Sequence, residues 1–162
     1  KTIGHNGPMR IKQSITLDAS TEQIVTALLS EELAAKRMKL LAIKDFQHKA
    51  DGNVAVTHVR ISADQVPSKA RSLARNGVNA ILTTTASGNT VDNTLKAQGF
   101  PVSLVWTVSL NEGTPTVANI DGDLKVKIPI VGARVEAAAA ERVDRLIAKE
   151  AQLIADVIAE QG

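Results

Sequence analysis

The sequence predicts an α+β fold, a seven-stranded curved antiparallel sheet around one long C-terminal helix, in the order β-α-α-β-β-β-β-β-β-α. Three observations lead there. A helix-forming run continues from Val131 almost to the end, at Gln161, and carries one apolar stripe. Three pairs of alternating segments are separated by short turns containing glycine, Gly52, Gly88 and Gly113. One further alternating segment and two short helical segments come first. A strand-rich chain that closes on a single amphipathic helix needs a curved sheet to hold it. Such a pairing leaves a cavity between its layers, so the chain reads as a container.

Each element has its own warrant. From Met9 to Leu17, Ile11, Ile15 and Leu17 point one way and Arg10, Lys12, Ser14 and Thr16 the other, as in a half-buried strand. Ser20 and Gln23 have the spacing of a capping box, followed by Ile24, Val25, Leu28 and Leu29 on one helical face. A second short helix is expected over Glu31 to Leu40. Segments 43–49 and 54–61 form the first hairpin, 79–87 and 90–98 the second, and 102–111 and 114–128 the third. Between the first two, Pro67 and the run that follows predict one or two helical turns closed by Gly77. In the third hairpin Val102, Leu104, Trp106, Val108 and Leu110 share a face. Leu124, Val126 and Ile128 do the same against Asp123, Lys125 and Lys127. The strand stops at Pro129. In the final helix the stripe is Val135, Ala139, Val143, Leu146, Ile147, Leu153, Ile154, Val157 and Ile158. Glu141, Arg145, Lys149, Gln152 and Asp156 lie opposite.

Composition narrows the function. With 162 residues, one domain covering 9–162 is expected, large enough for a sizeable core. Lys1 to Pro8 reads as an N-terminal extension or a cloning remnant. Only Phe46, Phe100 and Trp106 are aromatic, so the interior is aliphatic and a flat aromatic ligand would find little to stack on. Nineteen basic and 17 acidic residues are spread along the chain, without the basic face of a nucleic-acid binder. Lys36, Arg37 and Lys39 form the densest basic patch and are read as a solvated helix face. The absence of cysteine excludes disulfides and thiolate chemistry and fits a cytoplasmic protein. No apolar run approaches the ~20 residues of a membrane span.

The element order resembles the helix-grip fold shared by START lipid-transfer domains, birch-pollen-allergen-type proteins and polyketide cyclases. The segment LKVKIPIVGARVE, Leu124 to Glu136, is similar to that of a mainly actinobacterial family of unknown function within this START-like (SRPBCC) superfamily. The resemblance runs from about Arg10 to Ile158. It implies a hydrophobic cavity between sheet and C-terminal helix. It supplies no catalytic residues.

Within that frame Glu150 stands out. It falls between Val143, Ile147 and Ile154, in the apolar stripe. A buried carboxylate costs several kcal/mol unless it is paired, protonated or hydrated. Glu150 is therefore expected either as a polar anchor on the cavity wall or in a salt bridge to an inward cation such as Arg60. Glu136 lies on the same side but near the helix start, where the macrodipole favours a carboxylate. Leu104, Trp106, Val143, Ile147, Glu150 and Ile154 are the candidate ligand-binding residues. Trp106 is read as core, cavity lining or both, and one or two of Thr83, Thr84 and Thr85 as facing inward. His48 and His58 are expected as a cross-strand polar pair, without the third ligand a metal needs. No metal and no cofactor is expected. Neither a G-x-S-x-G elbow nor a P-loop occurs, and Gly132 is read as permitting close packing where the last helix begins.

The leading expectation is non-enzymatic binding of an apolar or amphipathic small molecule, lipid or polyketide-like. A cyclase- or hydratase-type enzyme using Glu150 as general acid or base is one alternative. A protein-interaction module with a filled core is the other, and Ala137 to Ala140 fit either a widened cavity or close helix packing.

Overall fold

The structure, a computed structural model, describes residues 9–66, 68–128 and 132–161. The expected tail 1–8, Pro67, Pro129 and the turn at Val131 lie outside the described residues. Strand β1 (Met9–Leu17) is followed by helices α1 (Thr21–Leu28) and α2 (Glu31–Leu40). Next come β2 (Asp45–Asp51) and β3 (Val54–Ile61), then two 3-10 turns, Ala63–Gln65 and Ser68–Leu73. Strands β4 (Val78–Ser87), β5 (Thr90–Ala97), β6 (Val102–Asn111) and β7 (Thr116–Val126) lead to helix α3 (Gly132–Gln161).

The seven strands form one antiparallel sheet in the order β1-β7-β6-β5-β4-β3-β2. Sequential hairpins produce every neighbour but one; β1 is placed beside β7 by the long return of the chain. Its register sets Ile11 opposite Gly122, Ile15 opposite Ala118 and Leu17 opposite Thr116. Arg10 reaches across the same pair to Asp121, with Nε donating to Oδ1 at 2.9 Å and Nη2 to Oδ2 at 3.0 Å. That hydrogen bond and charge hold the Asp121 carboxyl below its usual range and the Arg10 guanidinium above its own.

Local chemistry sets the connections. Ser20 accepts from the Gln23 backbone N–H at 3.1 Å while the Gln23 side chain accepts from the Ser20 N–H at 2.9 Å, the expected capping box. Ser30 caps α2 by accepting from the Leu33 N–H. Gly77 has φ +84° and lies so close to the Ile61 carbonyl that a side chain at this position has no room. Strand bounds differ slightly from expectation. The second strand begins at Asp45, because the Ile43 N–H closes the end of α2 on the Met38 carbonyl at 2.8 Å. The last strand is shorter at both ends than 114–128.

Helix α3 touches β1 and β7 on one side and α1 and α2 on the other. Buried apolar residues form three clusters. The largest joins Ile24, Leu28 and Leu33 to Val91, Val108, Ile120, Ile154 and Val157. A second gathers Val66, Val78, Ile128 and Val135 at the opposite end of α3. A third holds Met38, Val59 and Ala80. The clusters do not merge, and between them lies a cavity.

Candidate functional site

The cavity has a volume of about 300 Å³ and opens to the exterior. Its floor is the concave face of the sheet, where alternation turns Ile11 and Ile15 of β1, Val59 of β3, Leu82 of β4, Leu95 of β5, and Ala118, Ile120 and Leu124 of β7 inward. Its roof is the stripe of α3. Leu104 and Trp106 on β6, and Val143, Ile147, Glu150 and Ile154 on α3, all line it, as do Val135, Ala139 and Leu146.

A glycine makes room for the one tryptophan. Gly122 stands opposite both Trp106 and Ile11 in the sheet register. A Cβ at this position would lie 2.6 Å from the Trp106 Cβ and closer still to the Val105 carbonyl oxygen. Trp106 is half-buried and lines the cavity.

Glu150 is buried, and its partner is Arg37 of α2 rather than Arg60. Arg37 Nε donates to Oε1 at 3.2 Å and Nη2 donates to Oε2 in a bidentate, charge-assisted pair. Arg60 instead lies on the outer face, bonded to the Asn79 side chain and the Asn76 carbonyl. The reading of Lys36, Arg37 and Lys39 as one solvated patch is corrected by the same contact. Arg37 has only 6% of its surface exposed, whereas Lys36 reaches Glu160 at 2.8 Å, which raises the affinity of that amine for its proton. The spacing that places Arg37 inward was available: it lies four residues after Leu33 and four before Leu41, on the apolar side of α2. Glu136, beside buried Val135, is half-buried near the start of α3.

Arg142 is, after Arg37, a second charged lining residue absent from the expected set. It follows Val135 by seven residues, two turns to within about 20°, and so belongs to the stripe. Its charge concealed that periodicity. Arg142 is exposed and donates through Nη1 to the Ala138 carbonyl and through Nη2 to the Gln65 carbonyl, both at 3.2 Å. It thus stands at the mouth of the cavity, between α3 and the first 3-10 turn.

The histidines are not a pair. In the β2–β3 register His48 faces Thr57 and His58 faces Gln47, so the two rings are on opposite faces of the sheet. His48 shares hydrogen bonds with Thr57 Oγ1 at 2.8 Å and the Leu29 carbonyl at 3.0 Å, tying the α1–α2 turn to β2. Thr84 is the inward member of its run and donates to Asn93 Oδ1 at 2.8 Å. Among the described residues no three His, Asp or Glu side chains are grouped to hold a metal, and no helix is long and apolar enough to cross a membrane. No buried side-chain nitrogen or oxygen among them lacks a hydrogen-bond partner.

Comparison with known proteins places the chain. A family profile described as a protein family of unknown function, DUF2505, matches residues 12–158. The chain belongs to the DUF2505 family. No curated protein matches the sequence. The DUF2505 chain is similar in structure to TTHA0849 from Thermus thermophilus, with a TM-score of 0.67 at 10% identity over 95% of this chain and 99% of that one. A START superfamily protein from Mycobacterium smegmatis gives 0.59 at 15% identity, over 94% and 99% of the two chains. Norcoclaurine synthase from Thalictrum flavum, solved with dopamine and hydroxybenzaldehyde, gives 0.56 at 15% identity, over 95% and 88%. At these identities the likeness shows a shared START-like fold, and fold alone does not specify chemistry.

Proposed function

We propose that this DUF2505 chain is a non-enzymatic carrier or receptor that binds an apolar or amphipathic small molecule, a lipid or polyketide-like compound, between the sheet and α3. The observation that carries this reading is the cavity of about 300 Å³, whose walls are predominantly apolar. Pockets of this size fall in the range that accepts small ligands. Leu104, Trp106, Val143, Ile147 and Ile154 would supply contact area, and the Arg37–Glu150 pair a single polar point on the wall. A wall of this kind holds chains and alicyclic rings by area removed from water, about 0.8 kcal/mol per methylene.

Two features weigh against the alternatives. General acid-base catalysis by Glu150 requires a carboxyl presented to substrate, whereas Glu150 is held in a buried bidentate pair with Arg37. A protein-interaction module would be expected to show a contiguous exposed apolar patch. The large exposed hydrophobics among the described residues, Leu73 and Val105, are isolated from each other, one on a 3-10 turn and one on the outer face of β6.

Trp106 is the only tryptophan and is a built-in reporter. Its emission, followed while saturated carboxylates of increasing length are added below their micelle-forming concentrations, is expected to shift saturably. Affinity is expected to rise about fourfold per methylene until the cavity is full. An emission that does not respond, or a response independent of chain length, would refute the carrier reading.

A further inference from the structure

Three charged side chains line the cavity among the described residues: Arg37, Glu150 and Arg142. The first two neutralise each other in a buried bidentate pair. Arg142 has no carboxylate partner among the described residues; its two hydrogen bonds go to backbone carbonyls. A guanidinium carries five N–H donors in a planar fork, so three remain after Ala138 and Gln65 are served. The acidic side chains nearest on the same helix, Glu141 and Asp144, are exposed and lie off the stripe. The aliphatic chamber therefore carries one uncompensated positive charge, and it stands at the mouth.

Position separates this charge from the neutral pair. Arg142 and Glu150 are eight residues apart on α3, about 12 Å along its axis. The neutral pair and the free cation thus occupy different levels of one chamber. An exposed guanidinium at a mouth loses less water on meeting an anionic headgroup than a buried one would, while the tail enters the aliphatic interior.

We propose that the cavity selects a singly charged anionic amphiphile, an aliphatic carboxylate, with its headgroup held by Arg142 at the mouth and its chain between α3 and the Leu104–Trp106 strand. This rests on the carrier reading above and assigns Arg142 as its specificity residue.

The test compares three probes of one chain length, dodecanoate, dodecan-1-ol and dodecylammonium, on the intact chain by Trp106 emission. Dodecanoate is expected to bind about tenfold more tightly than the alcohol and the amine more weakly than both. Arg142→Gln is expected to remove the tenfold advantage and leave the alcohol unchanged, Arg142→Lys to keep most of it, and Arg142→Glu to favour the amine. Unchanged thermal unfolding of these variants shows that the fold is intact, as expected for an exposed side chain. Equal affinity for all three probes, or a carboxylate preference that survives Arg142→Gln, would overturn the assignment while leaving the carrier reading in place. Silence from all three probes would sink both.

Discussion

The two ends of helix α3 and its middle are built from the same kinds of residue and do different things. Near the C-terminal end, Ile154 and Val157 are 2% and 0% exposed, locked against Ile24, Leu33 and Val108. Near the other end Val135 is equally sealed, against Val66 and Ile128. Between them Val143, Leu146 and Ile147 are only half-buried, although they share the same stripe. All three line the cavity, and Val143 and Ile147 also border a second, more polar pocket beside β1. The ends of the helix are packed into the core, with Val135 and Ile154 also at the margin of the cavity, and its middle borders the cavity without such packing.

The largest effect is expected at the boundary between the two regions, where Arg37 meets Glu150. Removing one charge strands the other in an aliphatic wall. Glu150→Leu or Arg37→Met alone is expected to lower stability by about 3–5 kcal/mol, and the double variant to recover most of that loss. Denaturant unfolding of the two single variants and the double variant measures it. If the single variants were as stable as the parent, the pair would not be buried as described.

Truncations along the stripe come next. Ile154→Ala is expected to cost about 2–5 kcal/mol, the range for a sealed aliphatic side chain. Ile147→Ala, whose side chain already borders open space, should cost about 1 kcal/mol or less. Equal losses in thermal or chemical unfolding would mean that the middle of the helix is packed like its ends.

The smallest effect concerns the sheet edge, far from the cavity. Asp121 titrates below its unfolded value because Arg10 binds its charged form. Its contribution is therefore fully present above the unfolded carboxyl pKa of about 3.9 and is lost as pH falls through the lower folded value. Asp121→Asn is expected to lower the melting temperature slightly at neutral pH and to leave it unchanged at pH 2. A difference that grows on acidification would contradict the pairing.

Much of this architecture was legible because it depends on periodicity. Alternation located every strand, glycine at the turns marked the hairpins, and the apolar stripe defined α3. Glu150 declared itself for the same reason, as a charge where the period demanded an apolar residue. Arg37 and Arg142 follow the same logic but stayed hidden, because a long cationic side chain on a helix is equally at home in solvent. The spacing from Leu33 to Leu41 admits Arg37 on the apolar side of α2, and its pairing with Glu150 shows that it turns inward. The β2–β3 register explains the histidines in the same way. Their separation in sequence left the pairing open by one residue, and one residue reverses the face. The volume of the cavity follows from sheet curvature, which no local pattern encodes.

A ligand chamber beneath the middle of α3 has to lose its ligand when that space is taken. Filling it tests this most directly. Val143→Phe adds a ring where the cavity now is, without touching the sealed ends of the helix. Dodecanoate titrated into the parent chain should shift Trp106 emission saturably with one molecule per chain. In Val143→Phe the shift should vanish while the melting temperature holds or rises. A shift of equal size and affinity in both proteins, or in neither, would rule out a ligand chamber at this position.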